Sequence, residues 1–378
     1  MNPIGDQSRD DRGGLLRRGR ALLLVLAALV LACVVVAGCG SDSDSSSSSS
    51  SGASTGEAET ASGGEGSGDS GEPVNIAMFL VATANTHQQA ALKGAEEAVS
   101  EDGNASLRAF NGNFDPATQS NQIEDATASG QFDALLVNSV DGTQTIPAIT
   151  KALDEEIVVV CGFSICGPNQ DEFAKELPVT AQVASDYFAV GKAEAEALVK
   201  GCEEKGLDPC NVVLFNGAAT LAAGIAITES IKEVLGEHPN IKIVAEAEGG
   251  FLADPSYKAM KPIIQAHPEL NALIAAGDQE ISGALQAIEE SPLKGKKMVL
   301  VGDGASEIGS KGVESGVWYA SAILRPFNEG KVEAEIAIAA ARGEEPAEDL
   351  INSAIDPDFP TGYIDKSNVA EWEPEWAG

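Results

Sequence analysis

Basic residues are scarce in this chain: 24 lysines and arginines stand against 58 aspartates and glutamates, a formal charge of −34. So acidic a surface repels polyanions, because nucleic-acid binding needs cations that release counterions, and it repels anionic lipids as well. Nucleic-acid binding is excluded on that ground. Beyond residue 38, arginine occurs at Arg108, Arg325 and Arg342, which leaves little to clamp a carboxylate or phosphate in paired hydrogen bonds. Histidine is scarcer still. Of His87, His238 and His267, the last two precede prolines where helical stretches close, and none stands at zinc-like spacing from a cysteine. The sequence contains no phosphate-loop lysine motif and no Gly-x-Ser-x-Gly elbow. The glycines of residues 302–309 are out of register for a dinucleotide loop, which would also come early in the chain rather than late. An enzyme, a cofactor and a metal site are therefore not expected.

What the chain does have begins with an apolar run over residues 21–36, preceded by Arg17, Arg18 and Arg20 and closing on Val36-Ala37-Gly38-Cys39. A positive flank, an apolar centre and small residues before the cut form the secretory pattern. A single membrane-spanning helix is the competing reading, since about 18 apolar residues just span a bilayer. The last four residues resemble a bacterial lipobox. Residues 1–38 are accordingly expected to be a lipoprotein signal peptide, with Cys39 acylated and holding the protein to the membrane. Residues 39–73 that follow are Ser, Gly and scattered acids, a composition that buries no core and is expected to serve as a tether.

Six cysteines are present. Cys33 falls before the cut and Cys39 at it, so four remain as two close pairs, Cys161 with Cys166 and Cys202 with Cys210. An exported chain meets an oxidising setting, where local pairing is the simplest of three connectivities; four buried free thiols are the alternative.

Apolar runs of strand length recur at residues 74–82, 106–110, 134–138, 157–161, 211–216, 241–248, 272–277, 297–301 and 319–324. Helical spacing falls between them, at 87–101, 116–129, 144–154, 184–203, 221–236, 256–267 and 281–289. Continuous apolar strands alternating with helices imply parallel sheets covered on both faces. Nine strands over this length predict an α/β chain of two doubly wound parallel-sheet lobes.

In open parallel sheets ligands bind beyond the carboxyl ends of the strands. The residues there are Asn85, His87, Asn138, Asp141 and Phe163 in the first half, then Asn216, Thr220, Phe251, Asp278 and Asp303 in the second. Aromatic plates with convergent amides and carboxylates suit a polyhydroxylated ring, whose paired hydroxyls need planar acceptors and whose C–H face needs an apolar surface. For each polar residue taken singly, a loop cap is the competing explanation. With arginine so scarce, a neutral polyol or sugar-like ligand is expected first and an amine-bearing cation or a nucleoside second.

The stretch from Ile76-Ala77-Met78 to Gly94-Ala95, the segment from Asp186 to Gly191-Lys192, the run AHPELNALIAAGDQEISGAL from Ala266 and VLVGDG from Val299 together resemble the type I periplasmic binding proteins. The nearest pattern is the ribose-binding-protein group of sugar ABC importers, and the resemblance covers about residues 74–369. It implies three passages between lobes, near Asp186, near Arg325-Pro326 and over 353–359. The first lobe would then hold 74–185 with 325–357, and the second 186–324 with 358–378. It also implies binding roles for Asn85, Phe251 and Asp303, an ABC transporter permease as partner, a monomer, and a place on the outer face of the cytoplasmic membrane. Departures from the group stand at Phe163-Ser164 for an Asp-Arg pair, Ala223-Gly224 for an Arg, Gly277 for an Asn, and His87 and Gln88 for two aromatics. Pentose specificity is therefore not implied. A sensor docking on a receptor or kinase would use the same body and the same lobe closure.

Overall fold

The computed structural model describes residues 71–169, 173–218 and 221–378. Cys39, the expected signal peptide, all but the last three residues of the expected tether, and Thr220 lie outside the described residues.

The first half builds a sheet from β1 (Val74–Leu80), β2 (Ala105–Asn111), β3 (Ala134–Asn138), β4 (Val158–Phe163) and β5 (Ala181–Ala184), with helices α1 (Thr86–Asp102), α2 (Pro116–Ser129) and α3 (Ile146–Asp154) between the first four. The helix ends follow local chemistry. Asn85 caps α1 by accepting from Gln88 N at 3.1 Å, and Asp115 caps α2, where Pro116 supplies a first-turn residue with no N–H to satisfy. Gly103 and Gly130 close the two helices in the left-handed conformation.

The chain then enters a second sheet through α4 (Tyr187–Glu204). It continues through β6 (Cys210–Phe215), α5 (Ala222–Gly236), β7 (Ile241–Ala247), α6 (Ala253–Ala266), β8 (Ala272–Ala275), α7 (Asp278–Glu289), β9 (Val299–Gly304), α8 (Glu307–Ser315) and β10 (Ala320–Ile323). It returns to the first sheet with α9 (Pro326–Ala341) and β11 (Leu350–Asn352), and ends in the second with β12 (Tyr363–Asp365). The sheet orders are β11-β5-β4-β3-β1-β2 and β12-β10-β9-β8-β6-β7.

Every pairing is parallel except β10 with β12, which is antiparallel, so the second sheet is not purely parallel as the strand pattern predicts. The predicted helix at 184–203 starts later, at Tyr187. Ala184 ends β5, and Asp186 caps the helix by accepting from Ala189 N at 3.0 Å.

Both sheets are buried on two faces, as the unbroken apolar strands require. In the first lobe α1 and α9 cover one face, and α2 and α3 the other. In the second, α4 and α5 lie opposite α6, α7 and α8. The crossing of α1 with α9 depends on glycine: a Cβ at Gly94 would sit 1.9 Å from Phe327 O, and one at Gly330 would sit 1.9 Å from Ala91 O. The cysteines pair locally, Cys161 with Cys166 and Cys202 with Cys210. No helix among the described residues is long and apolar enough to cross a membrane.

Candidate ligand-binding site

Each sheet reverses its winding direction once, between β1 and β3 in the first and between β6 and β8 in the second. Loops leave a crevice at such points, beyond the strand ends. Here they line one cavity of about 450 Å³, counting the space at its mouth, with walls from both lobes.

From the first lobe come Asn85, His87 and Phe163. Asn85 is fixed by its capping role, and Gln88 beside it accepts from Val81 N at 2.9 Å, which anchors the start of α1 to the end of β1. His87 is buried with neither ring nitrogen hydrogen-bonded. Burial lowers its pKa to about 3, so the imidazole is neutral and offers one donor and one acceptor. Its ring meets Phe163 edge-on at 5.4 Å and Trp376 at 5.6 Å. Phe163 adopts a left-handed backbone, φ 63°, unusual for a bulky residue. Two constraints hold it there: its N–H donates to Glu329 Oε1 at 2.9 Å, and it lies inside the loop closed by Cys161–Cys166.

From the second lobe come Phe251 and Asp303. Phe251 is also left-handed, φ 57°, and donates its N–H to Glu280 Oε1 at 3.2 Å. Its ring lies so close to Gly217 that a Cβ there would be 2.4 Å from it. Asp303 is 1% exposed, and its Oδ1 has no hydrogen-bond partner. Burial first, and then the charges of Asp278 and Glu280, raise its pKa well above the usual carboxylate range.

The two walls also touch directly, because Gln279 Nε2 donates to Thr86 Oγ1 at 2.8 Å.

Five residues read from the sequence thus meet at one cavity: Asn85, His87, Phe163, Phe251 and Asp303. Four others do not line it. Asn138, buried at the end of β3, turns its amide to α9 and donates to Glu333 Oε2 at 3.0 Å. Asp141 organises its own turn, accepting from Thr143 N and Gln144 N, each at 2.9 Å. Asn216 reaches Glu246 Oε2 at 3.3 Å on the surface. Asp278 is a buried anchor, accepting from Ser306 N at 2.9 Å, Ser306 Oγ at 2.6 Å and Ser321 Oγ at 2.8 Å. In all four the strand-end position is real, but each side chain is tied to a neighbour, although Asn138 Oδ1 and Asn216 Oδ1 stay without a partner.

Sequence reasoning overlooks Tyr187, Gln279 and Trp376, all of which line the cavity. Trp376 is held by its Nε1 donating to Gly304 O at 3.1 Å, while its carbonyl accepts from Glu307 N at 2.9 Å. The chain has three tryptophans, and two of them, Trp372 and Trp376, fall in an otherwise acidic closing stretch. In a chain so poor in aromatics, that clustering was the available signal. Arg325 stays out of the cavity: it pairs with Asp356 and Glu375 and lies over the Trp372 ring.

The galactofuranose-binding protein of Escherichia coli K12 is 32% identical over 216 residues, 55% of this chain and 65% of that relative. The match therefore spans just under two thirds of the relative's length. The xylitol-binding protein of Mycolicibacterium smegmatis is 27% identical over 68% of each chain. Among solved structures, an ABC transporter solute-binding protein from Bacillus halodurans with bound myo-inositol superposes with a TM-score of 0.69 at 20% identity, covering 82% of this chain and all of that one. At that identity the likeness speaks for the fold alone, the two-lobed type I arrangement. The family model described as periplasmic binding protein domain matches residues 76–345, and with the two sheets and the cleft between them it shows that this chain belongs to the periplasmic binding protein domain family.

Proposed function

We propose that the chain captures a neutral sugar- or polyol-like molecule between its lobes and delivers it to an ABC importer. The observation that carries this reading is the lining of the cleft. Aromatic rings from both lobes, Phe163, Phe251 and Trp376, surround Asn85, His87, Gln279 and Asp303, and no lysine or arginine is among the described lining residues. Such a site offers stacking surfaces and several donors and acceptors, but no fixed positive charge to hold an acid. The names of the relatives, a galactofuranose-binding and a xylitol-binding protein, support the same class. We further propose attachment to the outer face of the cytoplasmic membrane through lipid on Cys39, supported by the Val36-Ala37-Gly38-Cys39 ending and by disulfides that suit an exported chain.

The test is a thermal-shift screen of the purified protein against pentoses, hexoses, polyols, nucleosides and amines. A ligand bound only by the folded state and present at about 100 times its dissociation constant stabilises by roughly 2.7 kcal/mol. For a body of this size that raises the melting temperature by about 5 °C. A shift confined to amines or nucleosides would overturn the neutral-ligand reading.

A further inference from the structure

Beneath the cleft, the second lobe buries four carboxyl groups with no cation among them. Glu194 on α4, Asp278 and Glu280 on α7 and Asp303 on β9 are all 0–1% exposed, and none of them takes part in an ion pair among the described residues. Their hydrogen bonding differs. Asp278 is saturated by Ser306 and Ser321, and Glu280 accepts from Phe251 N. Glu194 has no partner at either oxygen, and Asp303 has none at Oδ1.

Strand alternation shows which two belong together. Val299 and Val301 pack with Ala195 and Leu198 of α4, whereas Leu300 packs on the opposite face of the sheet. Asp303 shares the parity of Val299 and Val301 and so faces α4. Glu194 lies one turn from both Val190 and Leu198, which belong to that same cluster, so it faces the sheet. Two carboxyls with unpartnered oxygens therefore share one apolar compartment, and Asp303 closes its upper end as part of the cleft lining.

Burial disfavours an ionised carboxyl, and two that face one another cannot both ionise. Burial, followed by the charge of Asp303, raises the pKa of Glu194 well above the usual range. The surroundings supply no compensating charge. Tyr187 on α4, Asp278 and Glu280 on α7, and neutral His87 across the cavity are the titratable groups facing Asp303. The flanking strands β8 and β10 carry no charged residue. Of the other elements on α4, α5 has Lys232 committed to Glu246, and β12 has Asp365 paired with Lys200.

We propose that this cation-free cluster keeps Asp303 uncharged, with Glu280 as the positioning residue whose charge opposes ionisation of Asp303, so that the cleft floor presents a carboxylic acid, donor as well as acceptor, to a neutral hydroxyl-bearing ligand and disfavours charged ones. The ligand half of this statement rests on the sugar-or-polyol reading above; the proton half does not.

Infrared difference spectroscopy on the ligand-free protein tests the proton half. At pH 7, wild type minus Asp303→Asn should show a protonated-carboxyl band. In Glu280→Gln the Asp303 band should titrate away at a pH lower by roughly one unit or more. A wild-type difference containing only ionised-carboxylate signal would overturn the proposal, and so would an unmoved titration in Glu280→Gln. Should Glu280→Gln fail to fold, the near-isosteric Asp303→Asn still decides the protonation state. Calorimetry then tests the ligand half, using sorbitol and its 1-amino-1-deoxy analogue together with the panel of sugars and polyols. Glu280→Gln should favour the amino compound over sorbitol by about tenfold relative to wild type; no change in that ratio overturns the specificity role. If no neutral member of the panel binds wild type while the infrared result holds, the sugar reading fails and the proton-holding cluster stands.

Discussion

Gly217 and Phe251 show how single residues shape this cleft. Gly217 has φ 67°, a conformation side chains rarely adopt, and the Phe251 ring occupies the space a side chain would need. Gly217→Ala should therefore cost about 1–3 kcal/mol of stability, from backbone strain and from displacing the ring. Denaturant unfolding measures that cost, and ligand affinity should fall with it because the ring is a cleft wall. His87 makes a second prediction, about acid. Its folded pKa of about 3 lies below its ordinary value of 6.5, so its neutral form stabilises fully above about pH 6.5 and that contribution is lost as pH falls toward 3. His87→Asn should remove this part of the acid sensitivity in a melting-temperature profile. An unchanged profile would mean that the ring is protonated in the folded protein.

At the scale of elements, the two disulfides divide the work. Cys202–Cys210 ties the end of α4 to the start of β6, away from the cleft, whereas Cys161–Cys166 closes the loop that carries Phe163. On the chain-entropy view, removing either costs roughly 2–3 kcal/mol. Ligand affinity should separate them: the Cys161→Ala/Cys166→Ala variant should bind more weakly, and Cys202→Ala/Cys210→Ala should bind as wild type does. Equal affinity in both would show that Glu329 alone holds Phe163. The sequence made nine strands legible, the central ones as continuous apolar runs, while β2 and β7 at the sheet edges are only partly buried. It concealed β5, four residues interrupted by Gln182, and β11 and β12, three residues each and too few for a period. The site was legible in the same uneven way. Strand-end position picked out Asn85, His87, Phe163, Phe251 and Asp303, but it equally picked out Asp278, whose partners Ser306 and Ser321 lie 28 and 43 residues further on. Pairing at that distance leaves no trace in local spacing. Trp376 was hidden for the converse reason, since the chain after β12 folds back to the cleft and follows no strand that would point to it.

Over the whole molecule, the burial of six acids makes stability depend on pH in an unusual direction. Glu194, Asp278, Glu280, Asp303, Glu329 and Glu333 are all at most 1% exposed, and burial raises every one of their pKa values, to about 7 for Asp278 and Glu329 and about 8 for Glu280. A carboxyl with a raised folded pKa contributes stability that is complete below its unfolded value, near pH 4, and is lost as pH rises through the folded value. The opposite sign holds for surface acids such as Asp102 and Glu246, whose pKa is lowered chiefly by hydrogen bonds to Arg342 and Lys232, and which lose stability only in stronger acid. The melting temperature should therefore peak well below neutrality, near pH 4, and decline up to about pH 8. General repulsion among surface carboxylates also disfavours a chain of charge −34, but those groups are already ionised by about pH 5, and salt screens them. The two causes separate in high salt, where the decline from pH 5 to pH 8 should persist if buried groups produce it. Glu280→Gln should flatten the decline on its approach to pH 8, because burial holds the Glu280 proton to about that pH. A decline that vanishes in salt, or one that Glu280→Gln leaves untouched, would place these acids in the ordinary ionised state and remove the physical basis for an uncharged Asp303 as well.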